Sequence, residues 1–164
     1  MSELIPRRAV LITGVAAGAL AAGPLRAEED DLPSTLRTLL ARYAAKDLDG
    51  LMELLDPDGC VMIGTDIGEH AVDLPGVRAI VEGDYALWDS SEFGPIDWIH
   101  VDSDGQVASV MFQTKWLRHS AGVDMAFTIR FATAWRRRGR EWKLTQSLNQ
   151  VASIGTNAKP GETC

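Results

Sequence analysis

His100 lies in the run Ile96-Asp97-Trp98-Ile99-His100, where Ile96, Trp98 and His100 share one side of a strand. An imidazole changes charge near neutrality, so a histidine turned inward here is a candidate general acid or base. The plainer alternative is a hydrogen-bonded histidine of the core or rim. Asp66 belongs to the loop Gly64-Thr65-Asp66-Ile67-Gly68, and Glu69 follows it. A carboxyl buried beside an apolar pocket has a raised pKa and can exchange protons near neutral pH. The alternative for both is a loop or capping carboxylate. Asp66 is the carboxylate expected to work with His100. The histidines His70, His100 and His119 have no metal-ligand spacing. The sequence also lacks a phosphate loop, a nucleophile elbow and a Cys–His pairing. Neither a metal nor a cofactor is expected.

These residues need a scaffold, and the stretch Gly122 to Ser153 is its centre. Met125, Phe127, Ile129 and Phe131 alternate with small or polar residues, and the alternation resumes at Trp142, Leu144, Gln146 and Leu148. A period of two marks a strand with one buried face. Between the two runs, Arg136-Arg137-Arg138-Gly139-Arg140 holds a glycine where a hairpin needs a positive φ. The reading is two long antiparallel strands joined by a charged, solvated tip that resists edge pairing.

Upstream, Ser34 is the expected N-cap of an amphipathic helix carrying Leu36, Leu39, Leu40 and Tyr43. A short second helix carries Leu48, Leu51, Met52 and Leu55, and Asp56-Pro57-Asp58-Gly59 ends it. Cys60–Ile63 and His70–Val72 are short strands. A third helix opens at Pro75 and reaches Trp88, and Gly94-Pro95 closes that section. Ile96–Val101, a turn at Asp102–Gly105, and Val107–Arg118 make another hairpin. Helices first and a meander of strands afterwards define an α+β fold. Its expected form is a cone: three N-terminal helices packed on a strongly curved, mainly antiparallel sheet.

Strand pairing then puts Trp98, His100, Phe112, Thr114, Trp116, Gln146 and Leu148 on the concave face with Phe127 and Ile129. Tyr43, Tyr85 and Trp88 approach from the helices. An apolar cavity with a few polar groups suits a small, largely apolar ligand. The opposite face carries Ala126, Thr128, Arg130, Ala132 and Ala134, too small and apolar for free solvation. It points to a homodimer joined through the outer sheet face, with Arg130 as a possible cross-interface pair.

Residues 1–27 read as a separate unit. Arg7 and Arg8 precede the uncharged run Ala9–Ala22, and Leu25-Arg26-Ala27 offers a cleavage site. That order is a signal peptide, with the arginine pair suggesting the twin-arginine route. The 14-residue centre is too short to span a bilayer, which needs about 20 residues. Export to the periplasm or medium is expected, with no stable membrane insertion after cleavage. The chain carries net charge −7. Removing 1–27 leaves 22 acids and 13 bases, a surface unsuited to nucleic acid. Cys60 reads as a small core residue; a bond to Cys164 is allowed by an oxidising compartment but not required.

The helix pair Leu39-Leu40-Ala-Arg-Tyr43 with Asp47-x-x-x-Leu51 and Asp56-Pro57-Asp58 resembles a known pattern. So do Ile63-Gly64-Thr65-Asp66 with Glu69 and Gly76-Val-Arg-Ala79-Ile80, and Arg130 with Trp142-Lys143-Leu144. Together they resemble the SnoaL-like domains of the nuclear transport factor 2-like superfamily, over roughly Ser34 to Ser153. The domain organisation is then a signal peptide at 1–27, a SnoaL-like domain at 28–155 and a loose tail at 156–164. The resemblance implies a pocket inside the cone and often a dimer through the sheet. It implies no single reaction, because relatives include isomerases, cyclases, dehydratases and scaffolds. Many relatives carry histidine in the last strand, where this chain has Gln146 and Leu148. Three functions follow: ligand binding, an isomerase, cyclase or dehydratase using His100 with a carboxylate, or a non-catalytic interaction or scaffold module.

Overall fold

The computed structural model describes residues 31–156. The expected signal segment, Cys164 and all but the first residue of the tail lie outside the described residues. Helix α1 spans Leu32–Ala44, α2 Leu48–Glu53 and α3 Leu74–Tyr85. Each helix starts with an aspartate whose carboxylate accepts a backbone N–H of the first turn. Asp31 accepts from Ser34, Asp47 from Gly50 and Asp73 from Gly76. Ser34 is therefore inside α1 and Asp31 is its cap, because Pro33 is tolerated in a first turn that needs no donor there. Lys46 closes the other end of α3, donating from Nζ to the carbonyls of Tyr85 at 2.8 Å and Trp88 at 2.5 Å. A cation there also meets the negative end of the helix dipole.

The strands are β1 Val61–Ile63, β2 His70–Ala71, β3 Ser90–Ser103, β4 Val107–Ser120, β5 Val123–Arg138 and β6 Glu141–Thr156. They form one six-stranded sheet in the order β2-β1-β6-β5-β4-β3, with only the β1–β6 pair parallel. The α+β cone with N-terminal helices on a curved, mainly antiparallel sheet is thus the observed architecture. Two-residue loops join β4 to β5 and β5 to β6. Gly139 has φ 64°, the left-handed conformation expected of it.

Two departures from the expected strands decide the site. β3 does not begin after Gly94-Pro95 but runs through it, with register shifts on either side of Ile96. Proline is tolerated because β3 is an edge strand. The buried Thr114 hydroxyl of β4 lies 3.0 Å from the Gly94 carbonyl and 3.1 Å from the Pro95 carbonyl, within reach of the acceptors the irregularity frees. In β6 the pairing passes from Trp135↔Leu144 to Ala134↔Gln146, leaving Thr145 as an extra residue. A second shift between Thr128 and Ile129 does the same at Ala152. Bulges of this kind bend and twist a strand.

The core sits between the helices and the narrow end of the sheet. Leu36, Val77, Phe112 and Trp135 have no exposed surface. Phe112 stacks on Phe131 with ring centroids 4.5 Å apart. Cys60 is a free, buried thiol, which burial and the nearby Asp56 carboxylate push up to about 12.

The arginine-rich tip of the β5–β6 hairpin is not simply solvated. Arg138 donates to both oxygens of Asp56, at 3.2 and 2.8 Å, and also to Asp58. Arg136 lies 3.5 Å from Asp56 as well. The Asp56 side chain is wholly covered. Burial opposes its ionisation, but the Arg138 hydrogen bonds, the Asp58 amide and the two guanidinium charges outweigh it and hold the carboxyl below its ordinary value. Its folded pKa being depressed, this stabilisation is present above the unfolded pKa and is lost as pH falls through the folded one. Asp56→Ala should cost about 1–3 kcal/mol at pH 7, since it removes the buried acceptor shared by two part-exposed arginines, of which Arg138 keeps Asp58, and opens the turn after α2. Urea unfolding checks this, and the difference from wild type should shrink below pH 4.

Candidate functional site

The open half of the cone holds a cavity of about 490 Å³. A volume of that order accommodates a small organic molecule. Leu39 and Leu40 from α1, Val77 and Ile80 from α3, and Trp116, Phe127 and Ile129 from β4 and β5 belong to its apolar wall. Around the apolar surface stand Tyr43, Asp66, Glu69, Asp84, Arg118, Ser147 and Asn149.

Asp84 is the most perturbed acid of the cavity. Tyr43 donates its hydroxyl to Asp84 Oδ2 at 2.7 Å. Burial raises the Asp84 pKa most, the Tyr43 hydrogen bond lowers it, and the Glu69 and Asp66 carboxylates raise it further, leaving it at about 6. Burial is also the main reason the Tyr43 phenol is held far above its ordinary value, with the Asp84 charge adding to it. Glu69 is itself fixed, accepting the amides of Thr65 at 2.7 Å and Asp66 at 3.0 Å. The cluster is a set of crowded carboxyls in which Asp84 takes up a proton as pH falls through about 6.

Several donors at the cavity have no partner among the described residues. The indole N–H groups of Trp88 and Trp116 and Nε of Arg118 on its wall, and the Tyr85 hydroxyl behind it, are buried there without a hydrogen bond. Each such group costs about 1–3 kcal/mol unless something accepts from it. The rings themselves interlock: Trp88 meets Trp116 edge-on at 5.1 Å, and Tyr43 lies 5.5 Å from both Tyr85 and Trp88.

Of the residues expected from sequence, Tyr43, Asp66, Trp88, Trp116, Phe127 and Ile129 line the cavity. Tyr85 packs behind Tyr43 and Trp88. Phe112 and Thr114 share the inner face but are sealed in the core. Trp98, His100, Gln146 and Leu148 are corrected. The irregular register around Ile96 pairs Trp98 with Gln113 and His100 with Met111, putting both on the outer face. Trp98 is 53% exposed there. The extra residue Thr145 likewise turns Gln146 and Leu148 outward and brings Ser147 and Asn149 in. His100 and Asp66 are therefore on opposite sides of the sheet and cannot form a pair. Among the described residues no acid or histidine cluster could hold a metal ion.

Asp84, Arg118, Ser147 and Asn149 were not singled out from sequence. Asp84 had a signal: it follows Val77, Ile80 and Val81 by seven, four and three residues, so it is a carboxylate on an apolar helix stripe. Arg118 continues the inward series Phe112, Thr114, Trp116. Ser147 and Asn149 depend on a bulge with no residue signature.

The model for SnoaL-like domains matches residues 33–153, so the chain belongs to that family, within the nuclear transport factor 2-like superfamily. Among solved structures, a provisionally named scytalone dehydratase of Novosphingobium aromaticivorans DSM 12444 is similar, with TM-score 0.67 and 11% identity over 76% of this chain and 83% of that one. Hexachlorocyclohexane dehydrochlorinase LinA-type3 of Novosphingobium barchaimii LL02 gives 0.65 and 11%, over 80% and 94%. A ketosteroid isomerase-like protein of Erwinia carotovora atroseptica SCRI1043 gives 0.65 and 14%, over 78% and 98%. At these identities the likeness is one of fold. No curated protein matches the sequence.

The Asp84 pKa lies above its unfolded value of about 3.9, so the bound proton stabilises the fold at low pH and that stability is lost as pH rises through about 6. Asp84→Asn retains an acceptor for Tyr43 and removes the charge. Its melting temperature should exceed that of wild type at pH 7.5, with the difference vanishing near pH 4. Equal melting curves at both pH values would contradict the assignment.

Proposed function

We propose that this SnoaL-like protein binds a small, largely apolar molecule in the cone and moves a proton on it with Asp84, held by Tyr43. The observation that carries this reading is the Asp84 carboxyl, hydrogen-bonded by Tyr43 at 2.7 Å and raised by burial to about 6, on the wall of a largely apolar cavity of about 490 Å³. A base is most useful when its pKa is near the working pH. The apolar wall strengthens the carboxylate by excluding the water that would solvate it. The similar dehydratase, dehydrochlorinase and isomerase-like folds favour a reaction of this kind, and the site chemistry chooses Asp84 over His100.

A simple aromatic carbon acid tests the site without knowledge of the natural substrate. In 5-nitrobenzisoxazole a base takes the ring C–H proton, the N–O bond breaks, and its electron pair leaves on the phenolate oxygen of the nitrile product. The expected rate rises with pH through an apparent pKa of about 6. Asp84→Asn should lower it roughly 10²-fold at pH 7.5. Tyr43→Phe removes the hydrogen bond that favours the carboxylate and should move the profile upward in pH. Binding that persists with no dependence on Asp84 leaves a ligand-binding module, and no binding refutes both parts.

We also infer a homodimer through the outer sheet face. Trp98, Met111, Ala132 and Leu148 surround a shallow groove there, with Trp98, Met111 and Leu148 each more than two-fifths exposed. Arg130 is satisfied within its own face, donating to Gln113 at 3.0 Å, which leaves the apolar groove as the associating feature. A two-fold contact would bury such a patch against itself. Light scattering at tens of micromolar should find a dimer in the wild type and a monomer in Ala132→Glu. A monomeric wild type would refute the interface.

A further inference from the structure

Arg118 is a cation in an aromatic setting, without an ion pair among the described residues. Its guanidinium lies 5.1 Å from the centroid of Phe127 and 5.8 Å from that of Trp116. It lines the cavity, its Nε is buried without an acceptor, and it makes no ion pair with any described residue. Trp116, beside it on the same inner face, and Trp88 also line the cavity and also carry unpaired N–H groups. Indole and guanidinium nitrogens can only donate. Each of the three therefore needs an acceptor that the described protein does not supply, and one of them is formally charged.

We propose that the ligand of this cavity is an aromatic or alicyclic acid whose carboxylate is held by Arg118. The inference rests on the reading that the cavity binds a small apolar molecule, and it adds the chemical class of that molecule. A guanidinium stacked on aromatic faces keeps its edge free, and that edge matches the two oxygens of a carboxylate. The acids of the same cavity set the direction of binding. Asp84, Glu69 and Asp66 repel a second carboxylate, so the anion belongs at Arg118. The apolar body then lies along Phe127 and Ile129, with its far end toward Asp84. Trp88 and Trp116 offer neutral donors to further ligand oxygens, at little energetic cost if water fills them instead.

Calorimetric titration of the full-length chain at pH 7.5 with 2-naphthoate and with 2-naphthylmethanol tests this, since the two share a ring system and differ in charge. The naphthoate should bind at least tenfold more tightly. Arg118→Gln should abolish that preference, so that naphthoate and alcohol bind within twofold of each other, with a cooperative melting transition retained. Arg118→Lys keeps the charge but not the fork, and should lose at least threefold for the naphthoate alone. Equal affinities in the wild type, or a preference that survives Arg118→Gln, overturn the inference and leave the cavity reading intact if the alcohol binds. If neither probe binds, both readings fall. Should Arg118→Gln not fold, the lysine variant and the wild-type comparison decide the matter by the same criteria.

Discussion

Curvature of the four long strands is the constraint on which the site depends. A flat antiparallel sheet under three short helices would close on them and leave no cavity. Here β3 slips register on both sides of Ile96, and β6 takes extra residues at Thr145 and Ala152. Each slip bends its strand and increases the local twist. The cost is carbonyl groups displaced from the ladder. Thr114 offsets part of it at β3, because its buried hydroxyl reaches the Gly94 and Pro95 carbonyls. The residue is polar in an apolar series because the bend behind it needs a donor.

The same slips explain which parts of the molecule were legible in its sequence. The α+β order, the three helices and the inward series Phe127, Ile129 and Phe131 follow from periodicity, which reports local structure faithfully. A bulge changes the phase of every residue beyond it, and a period-two reading carries the old phase forward. Trp98, His100, Gln146 and Leu148 all lie past such a point, and all four are on the outer face. Phe112, Thr114 and Trp116 lie in β4, whose pairing with β5 is unbroken, and they point as the alternation requires. Asp84 was within reach of the sequence, as a charge on the apolar stripe of α3. Its raised pKa was not, because that depends first on burial in the assembled cone and then on the Glu69 and Asp66 carboxylates of the loop before α3.

The arginine-rich tip shows a second limit. Composition marks Arg136–Arg140 as a solvated turn, and arginines there would keep any hairpin end soluble. Composition cannot show that Asp56 and Asp58, some eighty residues earlier, stand under the tip. Once they do, the same charges become a clamp between the end of the hairpin and the turn after α2. Backbone bonds continue it, since Asp56 donates its amide to Leu144 at 2.9 Å and Leu144 donates to Leu54 at 2.9 Å. The narrow end of the cone is thus fixed by ion pairs and backbone together. Among the described residues the wide end has no comparable closure.

That asymmetry gives the cavity its character. At the narrow end every buried polar group is answered: Asp56 by its arginines, Thr133 by the Val110 carbonyl, the Trp135 indole by Thr133. At the wide end the answers stop. Tyr43 and Asp84 satisfy each other, yet Trp88, Trp116 and Arg118 hold donors with nothing among the described residues to accept from them. A structural core has no use for such groups, since apolar residues of the same size would pack there without the desolvation penalty. Donors on one wall and crowded carboxyls on another divide the cavity into regions of opposite polarity joined by apolar surface. A ligand that satisfies both regions must itself be apolar in the middle and polar at its ends. Volume alone therefore does not describe this cavity, because an arginine and three carboxyls stand on its wall beside the apolar surface.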